Sequence, residues 1–195
     1  MREVSRFETT AQSLSGAMST IVLRESLQRL ALVDELTGLP NRRAFMSGAT
    51  RIAGRARRSR ETIVVAMFDV DRFKSINDQL GHDEGDRVLR RLAEIATATF
   101  RQEDLVGRLG GEESGILLVG AEDGVRKRLE FLRETIERAG ILRDRAVTVS
   151  VGYAVGSPGD PQPLDVLLKA ADTALYAAKN AGRNRVMPEA GAPPA

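Results

Sequence analysis

Leu105-Val-Gly-Arg-Leu-Gly-Gly-Glu-Glu-Ser-Gly-Ile-Leu-Leu-Val119 joins two apolar runs through the pair Gly110-Gly111, with two carboxylates directly behind it. The pattern predicts a β-hairpin, because glycines at the joint reach positive φ without steric cost and the flanking residues are strand formers. Glu112 and Glu113 then sit at the hairpin tip. Taken alone, Gly-Gly-Glu-Glu suits an ordinary solvated hairpin as well as a site that holds a metal and a phosphate.

Upstream, Thr62-Ile-Val-Val-Ala-Met-Phe68 reads as a buried strand that delivers Asp69-Val-Asp71 at its carboxyl end. Asp69 could simply cap that strand. If the hairpin pairs beside it, however, Asp69, Glu112 and the Val70 carbonyl converge, and hard divalent cations need only one or two carboxylates together with substrate phosphates. Such convergence is what two-metal phosphoryl or nucleotidyl transfer requires.

Three further features are ambiguous by themselves. Arg101 and Asp104, three apart, would ordinarily be a surface ion pair worth under about 1 kcal/mol. Lys179 and Arg183 would ordinarily be the basic end of a helix, as the macrodipole favours. His82, the only histidine, has no second imidazole beside it and reads as a loop or cap residue.

Composition bounds the rest. The chain has 195 residues, is 42% hydrophobic, carries a formal charge of +2 and has no cysteine. One globular domain with an extension is expected, with no disulfide or thiol chemistry, no signal peptide and no membrane span. The charge gives no reason to invoke nucleic acid, and the arginines at 51, 55, 57, 58 and 60 read as a solvated helix end and loop. Walker A spacing is absent, so phosphates are not held by a P-loop.

The ordered blocks resemble the GGDEF domain, the catalytic module of diguanylate cyclases. They are Asp34-Glu-Leu-Thr-Gly-Leu-Pro-Asn-Arg-Arg43, Asp69-Val-Asp-Arg-Phe-Lys-Ser-Ile-Asn-Asp78, Gly81-His-Asp-Glu-Gly-Asp86, Arg101 to Ser114, and Ala171-Asp-Thr-Ala-Leu-Tyr-Ala-Ala-Lys179 followed by Asn180-Ala-Gly-Arg-Asn-Arg185. The resemblance covers roughly Asp34 to Val186. It implies the condensation of two GTP into cyclic di-GMP and two pyrophosphates, each 3′-hydroxyl attacking the other nucleotide's α-phosphate, with two Mg²⁺ or Mn²⁺ ions per GTP half-site.

Position by position, Asp69, Glu112 and the Val70 carbonyl match the family's metal ligands. Glu112 and Glu113 match its catalytic acidic pair, Glu113 as a further metal ligand or as activator of the 3′-hydroxyl. Asn77 and Asp86 match the guanine-reading pair, whose groups suit guanine's N1 and N2 hydrogens. Lys74, Lys179 and Arg183 match phosphate-neutralising positions, and Phe73, Gly110 and Gly111 match further substrate contacts. Of 29 basic residues only four are lysine, and two of those occupy phosphate positions. Arg101 and Asp104 match the Arg-x-x-Asp inhibitory site, which binds the product.

One position departs from the pattern. Ser114 stands where the signature has phenylalanine, so an aromatic anchor beneath the turn is missing and a looser turn is expected. That departure supports an alternative: a degenerate domain that serves as a cyclic di-GMP receptor or a GTP-binding regulatory module.

The expected fold is α+β, a palm-like nucleotidyl-cyclase domain with a mostly antiparallel sheet flanked by helices. Elements are expected as a helix from Arg42 to Arg58, a strand to Asp69, two helices within Arg72 to Phe100, the hairpin, a helix from Gly124 to Ala139, a strand from Ala146 to Val155, a helix from Pro163 to Asn180 and a short last strand. Residues 34–187 form the catalytic domain and 188–195 a disordered tail. In residues 1–33, Val4, Phe7, Ala11, Leu14, Met18 and Ile21 are spaced like a coiled-coil seam, continued in shifted register by Leu23, Leu27 and Leu30. A helix folded back on the domain is the alternative to a homodimer through that seam. Parallel pairing suits a reaction that needs two facing GTP sites, and a cytoplasmic location is expected.

Overall fold

The computed structural model describes residues 32–158 and 162–190. The expected N-terminal helix and its seam fall outside these residues almost entirely, as do residues 191–195. Val33, the last residue assigned to that helix, is bridged to Pro40 instead. The Asp34 carboxylate accepts from the Thr37 N–H at 2.9 Å and from its hydroxyl at 2.7 Å, which folds the chain back at this point.

Among the described residues five helices and five strands follow: α1 (Arg42–Ser59), β1 (Ile63–Val70), α2 (Phe73–Leu80), α3 (His82–Thr99), β2 (Leu105–Gly110), β3 (Glu113–Val119), α4 (Glu122–Arg138), β4 (Val149–Gly156), α5 (Leu164–Asn180) and β5 (Val186–Pro188). All eight residues of β1 are buried, as expected of an apolar, β-branched run at the centre of a sheet. The sheet order is β2-β3-β1-β4-β5; every pairing is antiparallel except β4 with β5.

Alternation along β1 divides the core into two layers. Val64, Ala66, Phe68 and Val70 face a cluster that includes Ile76 of α2, Leu92 of α3 and Leu129 of α4. Ile63, Val65 and Met67 face one that includes Phe45 of α1 and Leu175 of α5. Helix α5 rests directly on the backbone of β4, since a Cβ on Gly152 would lie 2.0 Å from the Leu175 amide nitrogen. Only glycine permits that approach, and it carries the end of α5 toward the end of β1.

Three boundaries differ from the sequence expectation by two residues or more. Strand β4 starts at Val149 rather than Ala146, because its partner β1 ends at Val70, the residue that pairs with Val149. Helix α4 starts at Glu122, where Glu122 and Asp123 supply the negative charge a helix N-terminus favours. Pro188 and Glu189 are not part of a disordered tail. Pro188 closes β5; the Glu189 N–H donates to the Tyr153 carbonyl at 2.8 Å and its carboxylate accepts from the Val155 N–H at 3.0 Å. No helix among the described residues is long and apolar enough to cross a membrane.

Candidate functional site

The carboxyl end of β1 and the amino end of β3 meet at one end of the sheet, where Asp69 lies directly opposite Glu113. Cross-strand partners project to the same face, so like charges are set side by side, a costly arrangement without a cation. The available cation is Lys179 at the end of α5, whose Nζ lies 2.9 Å from Asp69 Oδ1. Asp69 is only 4% exposed. Burial pushes its carboxyl up to about 6; Lys179 opposes that shift, while Glu112 and Glu113 add to it. Lys179 therefore offsets the Asp69 charge against burial and two further carboxylates.

Backbone geometry adds an oxygen. The Asp71 N–H bonds toward β4, to the Thr148 carbonyl at 2.9 Å, so by strand alternation the Val70 carbonyl faces the β3 side, just past the last paired residue. Among the described residues no cluster of three acidic or histidine side chains encloses a metal by itself. A buried, under-neutralised carboxylate with a second acidic group and a carbonyl nearby suits a small hard cation that takes its remaining ligands from water and phosphate.

The hairpin tip has a polar brace where the sequence lacks its aromatic anchor. Gly111 takes the left-handed conformation (φ 48°), and its carbonyl accepts from Arg108 Nε at 3.0 Å and Nη2 at 2.8 Å. The same guanidinium reaches Asp34 at 2.9 and 3.1 Å. Burial raises the Asp34 carboxyl, but hydrogen bonds from Thr37 and Arg108 outweigh it and hold the group below its ordinary value. The brace is thus complete above Asp34's ordinary pKa and is lost as pH falls through the lower folded value. Arg108→Ala is expected to accelerate amide exchange at Glu112 and Glu113 by roughly tenfold or more while the melting transition stays cooperative. Unchanged exchange at the tip would remove Arg108 from this role.

The expected base-reading residues occupy α2 and α3. Asn77 Oδ1 is buried and has no hydrogen-bond partner among the described residues, an uncommon state for a buried acceptor. Gly85 makes room for it, since a Cβ there would lie 1.9 Å from that oxygen. Asp86 follows, half-buried, with Arg90 at 3.8 Å. The Phe73 ring is buried in the core, so that residue offers a ligand its backbone rather than its side chain. Arg72, the residue before α2, provides no side-chain cap, which leaves first-turn N–H groups free for an anion. Lys74 and Arg183 are exposed and make no ion pair among the described residues.

Arg101 and Asp104 do not pair through their side chains. Asp104 accepts from the Arg101 backbone N–H at 2.8 Å and is ion-paired with Arg128, while the Arg101 side chain is 72% exposed. Arg128 lies over the Phe100 ring, 5.3 Å from its centroid. Sequence reasoning missed Arg128 and Arg108 as partners, because nothing local to either residue marks it. It named Asp71 without a role. That side chain is buried and accepts from Thr148 Oγ1 at 2.7 Å and Ser150 Oγ at 2.6 Å.

The family described as Diguanylate cyclase, GGDEF domain matches residues 31–185. The chain is 34% identical over 188 residues to the diguanylate cyclase DgcP of Pseudomonas aeruginosa, covering 95% of this chain and 27% of that protein. It is 38% identical over 166 residues to the diguanylate cyclase DgcM of Escherichia coli, covering 85% and 40%. It therefore spans between about a quarter and two-fifths of the length of these curated relatives. Among solved structures, the GGDEF domain of DgcB from Caulobacter crescentus in complex with c-di-GMP is 35% identical with a TM-score of 0.74, covering 81% of this chain and 95% of that one. The active GGEEF domain of a diguanylate cyclase from Vibrio cholerae is 31% identical with a TM-score of 0.70, covering 76% and 96%.

Proposed function

The chain belongs to the GGDEF domain family, and from that premise we propose that it condenses two GTP molecules into cyclic di-GMP and two pyrophosphates. The observation that carries this reading is the buried Asp69 carboxylate facing Glu113 across the strands, with Lys179 on its oxygen and an unpartnered Asn77 acceptor in α2. An acidic centre for metal and a separate base-reading acceptor are what a guanine nucleotidyl transfer needs.

In this reading Asn77 and Asp86 hold the guanine edge. Lys74, Lys179 and Arg183 neutralise the triphosphate and the charge that builds on departing pyrophosphate. Glu112, Asp69 and the Val70 carbonyl would hold Mg²⁺ or Mn²⁺, two ions per half-site, supplying charge neutralisation at the α-phosphate and the attacking oxygen. Glu113 would bind that metal or take the 3′-hydroxyl proton. One domain supplies one half-site, so the active form is a homodimer, which we assign to the N-terminal helix. Arg101, with Asp104 held by Arg128, would receive the product and restrain turnover. A cytoplasmic setting follows from the GTP supply the reaction needs.

Purified protein, stripped of nucleotide and incubated with GTP and Mg²⁺, is expected to yield cyclic di-GMP on chromatography, and Glu112→Ala none. No product from well-folded wild type across a range of concentrations would sink the cyclase reading. Binding of cyclic di-GMP by that same inactive protein would favour a receptor acting through the exposed Arg101.

A further inference from the structure

Asp71 is a buried carboxylate with no part in the acidic centre two residues away, and its third bond leads elsewhere. Besides Thr148 and Ser150 it accepts from the backbone N–H of Asn184, at 3.0 Å. Asn184 lies in the loop between α5 and β5, next to Arg183. Its side chain is held at both ends: Oδ1 accepts from Arg133 Nη1 at 2.9 Å, and Nδ2 donates to Glu137 Oε1 at 2.8 Å. Arg133 is itself fixed by Glu130 at 2.8 Å and Glu137 at 2.9 Å, and its side chain is only 14% exposed. The residue that follows β1 and the side chains of helix α4 therefore grip one residue of this loop from two directions.

The loop needs that grip. Arg183 and Asn184 are consecutive non-glycine residues in the left-handed region, with φ of 66° and 45°. Asparagine tolerates this conformation through its short polar side chain; arginine does not, and its backbone is tied only within the loop and helix end, its N–H donating to the Ala178 carbonyl at 3.0 Å and its carbonyl accepting from Arg185 Nε at 3.0 Å. An arginine side chain on an untethered loop would also lose more freedom on meeting an anion than one whose backbone is already fixed.

The geometry points to Asn184 as a positioning residue: clamped by Asp71, Arg133 and Glu137, it fixes the backbone from which Arg183 reaches the nucleotide's β and γ phosphates. This rests on the proposed GTP site. The clamp touches no substrate. It holds a strained loop in the one arrangement that directs the Arg183 guanidinium to the same phosphates as Lys179, one turn earlier on α5.

Asn184→Gly keeps the left-handed backbone and the N–H to Asp71 but deletes both side-chain bonds. Asn184→Asp keeps the acceptor for Arg133 and loses the bond to Glu137. Titrations with Mg²⁺ and 3′-deoxy-GTP, which cannot cyclise, are run beside displacement by GMP, which keeps the base and lacks the outer phosphates. Asn184→Gly is expected to bind the triphosphate about tenfold more weakly with GMP affinity unchanged, and Asn184→Asp to fall between it and wild type. Equal triphosphate affinity in wild type and Asn184→Gly, or an equal loss for GMP, overturns the inference while leaving the GTP reading in place. Failure of wild type to bind 3′-deoxy-GTP overturns the GTP reading and the inference with it.

Discussion

Replacing Asp69 by asparagine is expected to make the metal-free protein more heat-stable at pH 7.5 and to abolish cyclic di-GMP formation. The folded protein keeps the Asp69 proton up to about pH 6, against an ordinary value of 3.8. Folding stability is therefore lost as pH rises through that interval and stays lost above it. A shift of about two pH units corresponds to roughly 2–3 kcal/mol at neutral pH, or about 5–10 °C in a domain of this size. Asparagine removes the buried charge and should recover that stability. The gain should shrink as pH falls toward 4, where the wild-type carboxyl is protonated in the folded state and increasingly so in the unfolded one. Mg²⁺ should raise the melting temperature of wild type at pH 7.5 and leave Asp69→Asn unmoved. A variant that still responds to Mg²⁺, or that is less stable than wild type at pH 7.5, would remove Asp69 from the metal site.

Gly85→Ala is expected to lower kcat/KM for GTP by a factor on the order of 10² with little change in melting temperature. The new methyl would lie 1.9 Å from Asn77 Oδ1 and 3.2 Å from Phe73 Cζ. The asparagine amide ends a flexible side chain and can swing away, and alanine favours the helix by about 1 kcal/mol over glycine. Stability is thus roughly conserved while the acceptor leaves its place. Preference for GTP over ITP, which lacks the 2-amino group, should narrow at the same time. Cyclic di-GMP binding at Arg101 and Asp104 should be untouched. Unaltered GTP kinetics in a folded variant would show that Asn77 does not read the base.

The central strand, the hairpin and its acidic tip were legible because each is local: an unbroken apolar run, a glycine pair, two carboxylates. Helix ends were readable to within about two residues at α1 and α5. The start of β4 was not, because it depends on where β1 stops. The supporting contacts were not legible either. Arg108 meets Asp34 across 74 residues of chain, Asn184 meets Asp71 across 113, and Arg128 meets Asp104 across 24. No periodicity or turn signal encodes such pairs; only the finished sheet brings them together. The same limit explains Ser114. Its sequence predicts a loosened turn, whereas the brace that holds the tip comes from Arg108, six residues earlier, and from a carboxylate in a different loop.

The last strand decides how this domain can meet another. Without Arg185 to Glu189, β4 would present an unsatisfied row: the Val151 N–H that donates to Arg185 O at 2.9 Å, the Tyr153 carbonyl that accepts from Glu189, and the Val155 N–H that donates to its carboxylate. Such a row invites another chain to add as a further strand. Three residues ending in a proline, followed by an anion, close it and offer little in their place. Indiscriminate edge-to-edge stacking along β4 is thereby discouraged.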